Sequence, residues 1–284
     1  MNHIDIFYSS DDGLRLYARD YPGPAADSPV VLCLPGLTRN SKDFVGLAEV
    51  LQSTHRVICP DQRGRGRSQH DPKPENYRPE RYVKDMLSLL DLLDIERVTL
   101  IGTSLGGLMS MLLMAAAPQR IAAAVINDIG PVVDPQGLAR IAGYVGKTVP
   151  PRNWDEAAAQ AEAINGSAFP DYQRADWQAM SRELFIQEGA TPVLNYDPAI
   201  SHAFASATAA TNLWPLFDAM PPKPMLAIRG ETSDILSEPT LREMTARLPQ
   251  LKSVTIPGRG HAPTLGEPQA RAAILQFLAD ARAG

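Results

Sequence analysis

A serine flanked by glycines, Gly102-Thr103-Ser104-Leu105-Gly106, directly follows an apolar run at residues 98–101 and opens a stretch of small and apolar residues. That pattern predicts a strand, a sharp turn and a helix, with Ser104 at the apex. Gly102 and Gly106 lack the Cβ atoms that would clash where the helix doubles back over the strand. The turn lifts the hydroxyl out of the sheet, and the helix N-terminus favours negative charge developing beside it. Such a serine is a candidate nucleophile, although the pentapeptide alone also fits a Ser-Gly turn that merely caps a helix.

A serine hydroxyl becomes a useful nucleophile only when a base takes its proton and a third group fixes the tautomer of that base. Of the five histidines, only His261 stands in a loop directly after an expected core strand, within Pro257-Gly258-Arg259-Gly260-His261-Ala262-Pro263. His3 and His55 flank strands elsewhere, His70 is in a polar loop, and His202 falls in the stretch 131–215, which reads as an insertion. For the acid, the strand at residues 225–229 runs into Gly230-Glu231-Thr232-Ser233-Asp234, which makes Asp234 the expected partner of His261. Asp128, at the end of the preceding strand, is the main competitor, and Glu231 is a nearer carboxylate that could cap the turn. Asp61 reads as a brace for an earlier turn. Donors for an oxyanion are expected from the backbone N–H groups of Leu105, just after the serine, and of Leu37 in Pro35-Gly36-Leu37.

The elements needed to hold these groups on one edge are legible. Residues 4–8 and 14–21 alternate around Asp11-Asp12-Gly13 and predict a β-hairpin. Continuous apolar runs at 30–34, 56–60, 98–101 and 122–126 predict short strands buried on both faces. Helices are expected from Ser41 to about Ser53 and over 82–93, the second with apolar residues on one stripe. The alternation lapses over 131–215 and resumes with strands at 225–229 and 253–256 and helices at 239–248 and 267–281. The expected fold is therefore α/β: a mostly parallel twisted sheet with helices on both faces, residues 1–130 and 216–284 forming the core domain. Residues 131–215 form a helical cap insertion, whose Trp154, Trp177 and Trp214 are candidate substrate-binding residues in an apolar pocket.

Composition narrows the function classes. The 284 residues carry a formal net charge of −5, with 44% hydrophobic and 21% charged residues, as in ordinary globular proteins. No basic face accompanies Arg63, Arg65 and Arg67, so no nucleic-acid partner is expected. No run approaches the roughly 20 apolar residues of a membrane span. Residues 1–10 lack the pattern of a signal peptide, and Cys33 and Cys59 read as buried thiols, which predicts a cytoplasmic protein. Neither a metal-ligand cluster nor a dinucleotide fingerprint appears, so no metal or cofactor is expected.

Four ordered motifs carry a family resemblance over nearly the full length. Pro35-Gly36-Leu37, Asp61-Gln62-Arg63-Gly64-Arg65-Gly66-Arg67-Ser68, Gly102-Thr103-Ser104-Leu105-Gly106-Gly107 and Gly260-His261 resemble the corresponding segments of the α/β-hydrolase superfamily of serine esterases and lactonases. Pro35 departs from the histidine many members place there. The resemblance implies an α/β-hydrolase fold, a Ser104, Asp234, His261 triad in that chain order, an oxyanion hole from Leu37 and Leu105, and a small-molecule ester or lactone substrate. It gives Arg63 and Arg65 no catalytic role. The same triad serves thioesterases, acyltransferases, perhydrolases and C–C bond hydrolases, although Ala262 stands where the last commonly have an aromatic residue. A non-catalytic receptor on the same fold would be expected to lack a triad member, and none is missing.

Overall fold

The computed structural model describes residues 3–202 and 212–283. Eight strands form one sheet in the order β1-β2-β4-β3-β5-β6-β9-β10. The hairpin β1 (Ile4–Ser9) and β2 (Arg15–Tyr21) occupies one edge and runs antiparallel. From β4 (Arg56–Asp61) through β3 (Val30–Leu34), β5 (Val98–Thr103), β6 (Ile121–Asn127) and β9 (Met225–Gly230) to β10 (Leu251–Ile256), all strands are parallel.

The central apolar runs are continuous because both faces of the sheet are covered. Leu32, Leu34, Ile58 and Leu100 enter one cluster with Met86 and Leu90 of α2 (Pro79–Leu92) and Met109 and Leu113 of α3 (Leu105–Ala116). Their neighbours Val31, Cys33, Val57, Cys59 and Ile101 point the other way, onto Leu47 and Leu51 of α1 (Val45–Leu51) and the C-terminal helix Pro268–Ala283. Alternation persists along each strand, but its two sides meet two cores instead of a core and water. Cys33 and Cys59 are buried and free, as expected.

Two local expectations needed correction. The helix expected from Ser41 is a 3-10 turn, Ser41–Phe44, followed by α1; Asn40 caps it by accepting from the Lys42 N–H. The helix expected from residue 82 begins three residues earlier at Pro79, whose fixed φ and missing N–H suit a first turn.

Between β6 and β9 the chain leaves the sheet. It forms α4 (Pro135–Tyr144), α5 (Trp154–Asn165) and α6 (Arg174–Leu184), and later the short α7 (Trp214–Asp218). This segment also contains an antiparallel pair, β7 (Phe185–Glu188) and β8 (Thr191–Leu194), turning at Gly189 with φ +55°. Part of the span 131–215, residues 203–211, is outside the described residues. The segment returns over the loop that follows β4: Gly66 N–H donates to Asn195 O (3.0 Å) and Asp197 N–H to Gly64 O (2.7 Å). After β9 comes α8 (Glu238–Arg247), and the final helix, α9, is Pro268–Ala283.

Candidate active site

Ser104 stands between β5 and α3 with φ +53°, a left-handed conformation that non-glycine residues adopt only when their surroundings hold it. What holds it is the close approach of three segments. A Cβ on Gly106 would stand 1.9 Å from Leu34 O of β3, and one on Gly102 would stand 2.2 Å from Gly106 O. The Ser104 N–H donates to Asn127 O (2.8 Å), which fastens the turn to the end of β6. Leu105 opens α3, so its N–H has no helical carbonyl one turn back to bond.

His261, in the loop after β10, is nearly buried. Its Nε2 is 2.8 Å from Ser104 Oγ and its Nδ1 is 2.8 Å from Asp128 Oδ2. Asn127 Nδ2 donates to Pro263 O (2.8 Å), tying the histidine loop to β6.

The carboxylate on His261 is thus Asp128 and not Asp234. Asp128 is fully buried, with φ +57°, and directly continues β6. Its N–H donates to Ile228 O of β9 (2.8 Å), and its carboxylate accepts from Gly230 N–H (2.8 Å) and Ser233 Oγ (2.7 Å) as well as facing the histidine. Ser233 also accepts from the N–H groups of Ile235 and Leu236, so the loop after β9 folds around its own hydroxyl and turns it toward Asp128. Asp234 is directed elsewhere. Both of its oxygens are taken by Arg140 of α4, from Nε at 2.6 Å and Nη2 at 2.9 Å. Gly137 of α4 packs so closely on it that a Cβ there would be 2.2 Å from Asp234 O. Burial tends to raise the Asp234 carboxyl, but the hydrogen bonds and charge of Arg140 prevail and hold it below the usual carboxylate range.

The other weighed carboxylates have structural partners. Glu231 accepts from the Gly258 N–H (2.8 Å). Asp61 accepts from the N–H groups of Ser41 (2.7 Å) and Arg67 (2.8 Å), bracing the loop after β4 as expected. In that loop Arg65, wholly buried, has a support role not read from the sequence: its Nε donates to Leu37 O (2.8 Å) and its Nη1 to Tyr82 Oη (2.9 Å). It thereby fixes the peptide that follows Leu37.

Ser104, His261 and Leu37 line a cavity of about 380 Å³. Its opposite wall comes from the inserted segment: Ile141 and Tyr144 of α4, Ile164 of α5, Phe169, Tyr172, and Met180 and Glu183 of α6. The three tryptophans do not line it. Trp177 is buried against Phe169 and Tyr172, Trp154 donates to Gln187 under the guanidinium of Arg182, and Trp214 packs on Phe217 and Arg247. Trp177 thus fills a small core and Trp214 packs at the edge of the main one, whereas Trp154 is half-buried outside both.

Comparison with known proteins agrees with this fold. The family model described as alpha/beta hydrolase fold matches residues 29–268. A 3-hydroxybutyrate-oligomer hydrolase of Cupriavidus necator is 34% identical over 282 residues, covering 96% of each chain. The esterase YbfF of Escherichia coli is 29% identical, over 94% of this chain and 99% of its own. A crystal structure of an alpha/beta hydrolase from Novosphingobium aromaticivorans superposes with a TM-score of 0.91 at 46% identity, covering 97% of this chain and 98% of that one. A family match across most of the chain, on a mainly parallel sheet that carries the serine turn and the histidine loop on one edge, makes this protein a member of the α/β-hydrolase fold family.

Proposed function

We propose that the protein is a serine hydrolase of carboxylic esters that uses Ser104 as nucleophile, His261 as base and Asp128 as the orienting acid. The observation that carries this reading is the continuous relay from Ser104 Oγ through His261 to Asp128, 2.8 Å at each step, with Ser104 and His261 lining a cavity. In this reading Ser104 Oγ attacks the acyl carbon while His261 Nε2 takes its proton. Asp128 accepts from His261 Nδ1, holds that tautomer and stabilises the imidazolium. The N–H groups of Leu37 and Leu105 receive the tetrahedral oxyanion, a contribution of several kcal/mol in such sites. His261 then protonates the departing alkoxide and activates the water that releases the acid. The inserted segment acts as a cap that excludes bulk water and strengthens these charge interactions.

The substrate class we favour is the short ester of a small hydroxy acid. The supporting facts are the full-length likeness to the hydrolase of 3-hydroxybutyrate oligomers and a cavity of moderate size whose wall mixes apolar side chains with Tyr144, Thr148 and Tyr172. The test is hydrolysis of p-nitrophenyl butyrate and of 3-hydroxybutyrate dimers by the wild type and by Ser104→Ala. The expected loss in kcat is about 10⁴-fold or more. Equal rates for the two proteins would overturn the reading.

A further inference from the structure

Resting on the reading just given, we propose that Arg39 is the anchor for a carboxylate on the substrate, and that Glu183 occupies this position until substrate displaces it. Arg39 stands two residues after the oxyanion segment Pro35-Gly36-Leu37 and is the sole arginine or lysine among the described residues lining the cavity. It is close to the reacting centre: a Cβ on Gly36 would stand 3.4 Å from Arg39 Cγ and 3.9 Å from Ser104 Cβ. A guanidinium there is within reach of a charged group a few bonds from the scissile carbonyl. Its planar fork suits a carboxylate in particular.

The present partners of Arg39 differ in kind. Asp43 accepts from Nε at 2.7 Å and comes from the same short turn, four residues on, so it travels with the arginine. Glu183 accepts from Nη2 at 2.9 Å and comes from the last turn of α6, in the inserted segment. A carboxylate at a helix C-terminus faces the negative end of the helix dipole. Burial and the neighbouring Asp43 carboxylate further raise its pKa above the ordinary glutamate value. Glu183 is therefore a carboxylate in an unfavourable setting, held on the one cavity cation. Among the described residues, Nη1 of Arg39 makes no hydrogen bond. An ester that brings its own carboxylate can replace Glu183 on Nη2 and engage Nη1 as well, whereas an uncharged ester cannot compensate for the lost ion pair.

The test separates binding from turnover. The dimer 3-hydroxybutyryl-3-hydroxybutyrate and its terminal primary amide are titrated into Ser104→Ala by calorimetry. The acid is expected to bind about tenfold or more tightly than the amide. Adding Arg39→Met should remove that preference while leaving amide binding within a few-fold. Adding Glu183→Gln should tighten the acid by more than it tightens the amide, which supplies a second reading if Arg39→Met folds poorly. Equal binding of acid and amide, or a preference that survives Arg39→Met, overturns the proposal. Because this readout is affinity in an inactive variant, it stands apart from the Ser104→Ala rate comparison, whose failure would overturn the ester-hydrolase reading instead.

Discussion

At the scale of single residues, the deciding contact is between His261 and one of two aspartates four positions beyond or directly at a strand end. Asp128 has the histidine, a serine hydroxyl and a backbone N–H on its carboxylate, whereas both Asp234 oxygens are held by Arg140. Asp128→Asn should therefore lower kcat by about 10³- to 10⁴-fold, since an amide cannot hold the productive tautomer. Asp234→Asn should change it by less than about tenfold. Steady-state kinetics on a p-nitrophenyl ester checks both, and a severe effect confined to Asp234 would reverse the assignment. Sequence singled out Ser104 and His261 as a candidate pair, and the fold brings their side chains to 2.8 Å; Ser104 directly follows β5, whereas His261 stands five residues beyond β10 and is carried back by its loop. The acid was ambiguous because spacing along a loop does not reveal how that loop folds back.

At the scale of elements, what matters is how neighbouring strands and helices are tied together. The hairpin at the sheet edge shows this well. Asp5 of β1 accepts from Tyr17 Oη of β2 (2.6 Å) and from Arg67 Nη1 (2.5 Å) in the loop after β4, with Arg67 lying over the Phe7 and Tyr17 rings. Hydrogen bonds from Tyr17 and then Arg67 hold the Asp5 carboxyl at about 2, below its ordinary 3.8. Because the folded value is the depressed one, this contribution is complete above the unfolded value and is lost as pH falls through about 2. Exposure of the pair to solvent keeps its contribution small. Amide exchange protection in β1 should accordingly fall between pH 4 and pH 2 and be flat over that range in Asp5→Asn. A wild type and variant that lose protection alike would show that Asp5 has no part in it. Elsewhere the inserted segment was expected to be helical, yet it holds the hairpin of β7 and β8. Four-residue strands carry too few alternations to announce themselves, and Pro192 inside β8 argues locally against one.

For the whole molecule, one buried cation joins distant parts of the chain. Arg63 is fully buried and donates to Asp85 of α2 from Nε (2.8 Å) and Nη2 (2.6 Å), to Asp12 of the β1–β2 turn (3.0 Å), and to Asp71. Arg81 adds a second cation on Asp11 and Asp12, so two guanidiniums are shared among the four carboxylates of this cluster. Arg63→Met would leave Asp85, itself without solvent exposure, short of its main partner. The expected loss is about 3–5 kcal/mol of folding stability, read from urea denaturation. A double variant with Asp85→Asn should recover part of it, and a loss below about 1 kcal/mol would show the cluster to be energetically neutral. The described residues include no helix long and apolar enough to cross a membrane.

The sequence by itself determined the order of the core strands and helices, the sheet buried on both faces, the serine turn and the histidine loop. Those features are written in local chemistry: apolar runs, glycines where backbones touch, and polar residues at strand ends. Only the tertiary structure decided which aspartate meets His261, because that depends on the pairing of β6 with β9 and on α4 drawing Asp234 toward Arg140. It also decided that the tryptophans pack away from the cavity and that Arg39 faces into it. Contacts between residues more than a hundred positions apart are set by how helices settle on the sheet, and no spacing along one chain encodes that directly.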